Sequence, residues 1–190
     1  LIVDAISSLS SLPFYMDTWG CDVVMSGSQK GYMVPPGLAF VGISENAWRA
    51  FKNAHMPRFY WDFGKAKDYL ERGQTPWTPA ISIFYGLDIA LEMMLTEGLE
   101  NIYSRHASIG EQTRDGIVTL GLSLFANKSC ASNTVTSVHV PIGVDPKQLL
   151  GILQTDQGVV LSGGQGSLTG KIFRVGHLGY CEPDDIQQTL

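Results

Sequence analysis

Lys30 and Asp4 are of types that do covalent chemistry together when a fold sets them side by side. Lys30 closes the run Ser26-Gly27-Ser28-Gln29-Lys30, and Asp4 stands 26 residues before it. The apolar stretch 22–25 leads into the lysine run, and the apolar stretch 1–5 carries the aspartate near its end. A primary amine delivered by one strand can condense with a carbonyl group and afterwards carry a proton. A carboxylate at the end of a neighbouring strand can hold a ring nitrogen protonated. Arg174 is a third candidate, placed in the otherwise apolar strand pattern Ile172-Phe173-Arg174-Val175-Gly176. An arginine buried there needs a carboxylate partner, and its planar fork grips one through two parallel hydrogen bonds.

The elements that must position these residues follow from periodicity and punctuation. Short apolar runs at 1–5, 22–25 and 38–43 read as buried strands, with Pro35-Pro36-Gly37 breaking the chain before the third. Ser44 caps an expected helix over 45–53. Residues 55–73 are aromatic and without a period, which reads as a long packed connection. Thr78 with Pro79 is expected to start a long helix, buried on several sides and interrupted at Gly98. A more polar helix should run over 99–120. Beyond Gly121 the pattern gives strands at 122–125, 134–140, 159–162 and 171–176, with helices over 145–154 and from 182 onward. The order β-β-α-β-β-α describes helices on one face of a mainly antiparallel sheet. The expected fold class is therefore α/β: the tail of a larger α/β layer over 1–97, then a small α+β domain over 98–190.

Bulk properties exclude several functions. A net charge of −5 without a Lys/Arg run points away from a nucleic-acid partner. No apolar stretch approaches the ~20 residues that span a bilayer, so no membrane role is expected. Residues 1–30 lack the pattern of a signal peptide. Cys21, Cys130 and Cys181 are far apart and without metal or redox spacing, as reduced packing thiols of a cytoplasmic protein would be. The four histidines show no ligand spacing, so no metal site is expected. Gly163-Gly164-Gln165-Gly166 is not a nucleotide fingerprint and reads as a flexible loop. The chain opens on Leu1-Ile2-Val3-Asp4 and closes within a helical pattern, which reads as a C-terminal fragment.

Val3-Asp4-Ala5-Ile6-Ser7-Ser8, Ser26 to Lys30 and Pro35-Pro36-Gly37 resemble the cofactor-lysine region of class V aminotransferases. The resemblance is to the alanine–glyoxylate and serine–pyruvate group of these fold type I pyridoxal 5'-phosphate (PLP) enzymes. Thr78 to Ser82, Glu97 to Asn101 and Gly170 to Gly176 follow in the same order, so the likeness spans the chain.

That resemblance implies a role for each residue. Lys30 forms the Schiff base, Asp4 pairs with the pyridine nitrogen, Gln29 contacts the cofactor phosphate, and Ser8 belongs to the loop after the aspartate. Arg174 takes the substrate α-carboxylate. Thr75 or Thr78 contacts the cofactor phosphate of a neighbouring subunit, so a homodimer is implied. The reaction implied is a ping-pong transfer of an amino group between a small amino acid and a keto acid such as glyoxylate or pyruvate. Two alternatives stand beside it. One is a cysteine desulfurase or lyase of the same fold type, which Gln29 disfavours because those enzymes typically carry histidine before the lysine. The other is a catalytically incomplete fragment, since the phosphate-binding turn and the ring-stacking aromatic that family members carry ahead of the aspartate strand have no counterpart here.

Overall fold

The computed structural model describes residues 1–190 throughout. Its first sheet contains β1 (Ile2–Asp4), β2 (Val23–Gly27) and β3 (Ala39–Ile43), in that spatial order. β1 and β2 are parallel with Asp4 opposite Met25, while β2 and β3 are antiparallel with Met25 opposite Val41. Side chains alternate across a sheet, so Ile2, Asp4, Val23, Met25 and Val41 share one face. The opposite face is closed by a buried cluster of Ala5, Cys21 and Val24 under Leu9, Phe14 and Met16. The face that carries Asp4 is open, and Ile2 on it is 69% exposed.

α1 (Glu45–Lys52) begins where Ser44 Oγ accepts the Ala47 N–H at 3.1 Å. The aromatic connection is not irregular throughout, because α2 (Phe63–Leu70) forms within it. Asp62 caps that helix, its Oδ1 accepting the N–H groups of Gly64 and Lys65 at 2.8 and 3.3 Å. Around α2, Tyr60 stacks on Trp77 at 5.2 Å and the Lys65 ammonium stands 4.2 Å over Phe59. Cation–π contacts of this kind hold an exposed segment in place of a buried core.

α3 (Ile81–Glu97) corrects the expected start at Thr78: its N-cap is Ala80, with no side-chain capping bond. Tertiary packing sets that start. Ile83, Leu87 and Ala90 close on Val34, and a Cβ on Gly37 would strike the Ile83 side chain. The same helix is less buried than its apolar sequence implies, with Tyr85 72% and Leu95 82% exposed. Gly98, at φ +84°, turns the chain into α4 (Leu99–Thr119), a left-handed conformation that glycine takes without Cβ strain.

The second sheet has the order β4 (Val135–His139), β6 (Ile172–Gly176), β5 (Ser162–Gly163), antiparallel throughout. Between its strands lies α5 (Pro146–Asp156), and α6 (Pro183–Thr189) comes after β6. Ile117 of α4 packs on Val138, Phe173 and Val175, joined by Leu149 and Leu150 of α5. Two expected strands change. Residues 122–125 make only a single bridge, Leu124 to Val138, and β5 starts at Ser162 because the Val159 N–H is taken by Leu153 O at the end of α5. Cys21 packs in the core as expected, whereas Cys130 is exposed. No helix is long and apolar enough to cross a membrane.

Two of the four histidines are buried, and His177 carries the larger energetic consequence. Its Nε2 pairs with Thr136 Oγ1 at 2.9 Å, while Nδ1 has no partner of good geometry. Burial pushes its pKa down from 6.5 to about 4, with Arg114 acting in the same direction and the Asn133 backbone partly opposing. The unfolded chain therefore binds this proton near pH 6.5 and the folded chain only near pH 4. Stability from His177 is full above about pH 6.5 and falls as the pH drops toward about 4, by roughly 3 kcal/mol in all. Urea unfolding measured at intervals from pH 7.5 to 4 is expected to show this slope, and His177→Gln is expected to flatten it.

Candidate active site at the end of the first sheet

β2 runs out at Gly27, and the next residue pins the turn beyond it. Ser28 is fully buried; its Oγ donates to Pro35 O at 2.8 Å and accepts the Leu38 N–H at 3.2 Å. Backbone bonds from Ser28 N to Leu38 O and from Val34 N to Ser28 O close the neck of a loop that holds Lys30. Met33, at φ +63°, completes the turn by donating its N–H to Lys30 O at 3.0 Å. Gly31 is also buried, and a Cβ there would collide with the Ser10 and Ser11 hydroxyls. The loop that leaves Asp4 thus touches the lysine turn directly.

Lys30 is half-buried, and its Nζ enters none of the ion pairs or side-chain hydrogen bonds of the chain. Asp4 is exposed on the open face; its Oδ1 accepts the Ile6 N–H at 2.9 Å and its second oxygen is free. Gly27 lies on that same face, and a Cβ on it would stand 2.8 Å from Gln29 Oε1. The Gln29 amide therefore folds over the bare glycine, on the face that carries Asp4. Asp4 and Gln29 share one face of the sheet, and the turn that carries Lys30 leaves β2 at the same end. Ser8 is not aimed there: its Oγ bonds back to Ala5 O at 3.4 Å.

Arg174 is in the central strand of the second sheet, on the face away from Phe173 and Val175. It is half-buried, and its Nε donates to Gly163 O at 3.0 Å. The carboxylate partner expected for it is absent from the chain, so both terminal guanidinium nitrogens are free. Thr75 and Thr78 stand apart from the lysine set. They line an open depression of about 1160 Å³ at the start of α3, with Trp77, Ile81, Tyr85 and Asp88. Thr75 Oγ1 donates to Trp77 O at 2.6 Å, and Thr78 is exposed with its hydroxyl unpaired.

The aminotransferase class-V family model matches residues 1–187. The chain belongs to the class V aminotransferases. It is 47% identical over 186 residues to the small subunit of a soluble hydrogenase of Synechococcus sp. (strain PCC 6716), covering 98% of this chain and 48% of that protein. It is 38% identical to the L-aspartate–glyoxylate aminotransferase of Paracoccus denitrificans, covering 94% of this chain and 46% of that one. The crystal structure of an alanine–glyoxylate aminotransferase from Nostoc sp. superposes with a TM-score of 0.93 at 31% identity, over 99% of this chain and 51% of that chain. The chain spans about half the length of the relatives it matches. Class V aminotransferases are fold type I, PLP-dependent proteins, and the architecture above is that of their fold.

The residues present fit that cofactor. A free carboxylate and an amide laid over a glycine share one face, and the turn with an unpaired amine begins at the same end of the sheet. Sequence reasoning missed Ser28, whose buried hydroxyl is what shapes the turn of this class V chain. Its only signal was a small residue between Gly27 and Gln29. Ser28→Ala leaves the Leu38 N–H and the Pro35 carbonyl short of a partner, at a cost of about 1–3 kcal/mol. Urea unfolding of the variant against the parent measures that loss.

Proposed function

We propose that this chain supplies the lysine-bearing side of a transaminase active site. The reaction moves an amino group between a small amino acid, of the alanine or serine type, and a keto acid such as glyoxylate or pyruvate. The observation that carries this reading is the unpaired Lys30 amine beside Gln29, on the sheet end that also presents the free oxygen of Asp4. Bound PLP would supply the aldehyde that takes up the amino group and the ring that accepts an electron pair.

Each residue then has a task set by its chemistry. Lys30 attaches the cofactor and, once released, moves a proton to and from the substrate α-carbon through Nζ. Asp4 holds the ring nitrogen protonated through its free oxygen. Gln29 donates an amide N–H toward the phosphate. Arg174 offers its two free terminal nitrogens to the substrate carboxylate, and a bidentate grip fixes both position and orientation. Ser8 remains part of the loop behind Asp4, through its bond to Ala5.

A second copy of the chain completes the site in this reading. The depression that holds Thr75 and Thr78 and the exposed apolar side of α3, with Tyr85, Ile89 and Leu95, are the surfaces available for that contact. No three His, Cys, Asp or Glu residues of this chain stand together as a group able to hold a metal ion.

Reduction with borohydride after incubation of the complete polypeptide with PLP is expected to tag Lys30, located by peptide mass. A tag elsewhere, or none, rejects the reading. Arg174→Lys keeps the charge but loses the fork. It is expected to raise KM for both the amino acid and the keto acid by about 10- to 100-fold, the value of one or two charged hydrogen bonds.

A further inference from the structure

Beyond Arg174 the chain returns to the lysine turn. Gly179 is buried at φ +80°, and a Cβ on it would stand 3.3 Å from Lys30 O and 3.2 Å from Met33 Cγ. The backbone leaving the second sheet is therefore seated on the backbone of Lys30 itself, with no side chain between them.

Two adjacent residues of α4 hold that glycine. His106, 1% exposed, accepts the Gly179 N–H on Nε2 at 3.0 Å and donates from Nδ1 to Ile102 O at 2.7 Å. Arg105 Nη1 donates to Gly179 O at 2.9 Å and to Cys181 O at 3.1 Å. Its Nε and Nη2 grip Glu97, the last residue of α3, at 2.6 and 2.9 Å. Both polar groups of one glycine are thus fixed from one helix, and that helix is tied to the one before it. Burial holds the His106 pKa below its usual value, which keeps Nε2 free to accept.

The Lys30 amine has no ion pair or hydrogen bond in the chain, so the backbone beneath it bears on where it starts from. Proton transfer demands a well-placed donor, and a misplacement of about 1 Å costs on the order of a hundredfold. We propose that His106 and Arg105, braced by Glu97, are positioning residues that seat Gly179 against the Lys30 carbonyl and thereby fix the reach of the lysine amine. The role rests on the reading of Lys30 as the reacting lysine.

His106→Leu removes the acceptor for Gly179 N–H, His106→Gln restores one at nearly the Nε2 position, and Gly179→Ala disturbs the contact without touching α4. Hydrogen–deuterium exchange of the cofactor-free complete polypeptide reads the turn directly. Segment 28–34 is expected to exchange about tenfold faster in His106→Leu and Gly179→Ala, and as in the parent in His106→Gln. In the holoenzyme the first two are expected to lose about 10- to 100-fold in kcat with KM changed less than about twofold, and His106→Gln to recover it. If His106→Leu does not fold, Gly179→Ala carries the same test. Loosening of 177–181 with segment 28–34 unchanged overturns the proposal, as does an unchanged kcat. Borohydride tagging of a different lysine overturns the reading of Lys30, and the clamp's role with it, while the exchange data still report whether the contact holds the turn.

Discussion

The parallel pairing of β1 with β2 is the constraint on which the rest depends. Asp4 opposite Met25 puts the carboxylate on the face shared with Gly27, two residues along β2. A slip of one residue would turn Asp4 into the closed cluster of Ala5, Cys21 and Val24, and bring Val3 out in its place. That alternative buries a carboxylate among apolar groups and exposes a valine, so the pairing is held by hydrophobic patterning on the closed face. The position of a polar group on one side of the sheet is decided by apolar contacts on the other.

From that pairing, two separate segments converge on the lysine turn, and glycine marks both meetings. Gly31 admits the Ser10 and Ser11 hydroxyls of the loop after Asp4, and Gly179 admits the chain that has just left β6. Ser28 closes the turn on itself. The turn therefore couples the first sheet to the second at the residue that separates Gln29 from Gly31. A lysine side chain is long and its own amine is unpaired here, so rigidity has to come from below, through the main chain. The buried Ser10 and Ser11 hydroxyls make no hydrogen bond, a local cost of the close approach at Gly31.

The candidate residues were more legible in the sequence than the contacts that support them. Asp4 and Arg174 stand out because an ionisable residue in an apolar strand pattern is unusual, and Lys30 because it closes a run of small residues after one. The strands involved lie within a residue or two of their expected limits. Elements whose limits depend on distant contacts do not. Thr78-Pro79 has the local chemistry of a helix start, yet packing of Ile83 and Leu87 on Val34 sets the helix two residues later. α2 was hidden because aromatic residues exposed on cation–π contacts give no periodic stripe, although Asp62 was a readable cap. The strand at 122–125 failed because a short segment with one bridge cannot hold a ladder. His106 and Gly179 lie 73 residues apart, and no local pattern joins a histidine on a helix to a glycine on a loop.

The open face of the first sheet bears on how strongly Asp4 can act. Opposite charges about 4 Å apart attract by about 1 kcal/mol in water and about 4 kcal/mol at the effective dielectric of a protein surface. With Ile2 and Val41 exposed around it, Asp4 stands closer to the first limit. Covering that face with apolar surface moves it toward the second and removes the same valine and isoleucine from water, so the two effects favour one arrangement. A carboxylate on this face would thus act weakly toward a bound ring on the bare sheet and more strongly wherever apolar surface covers it.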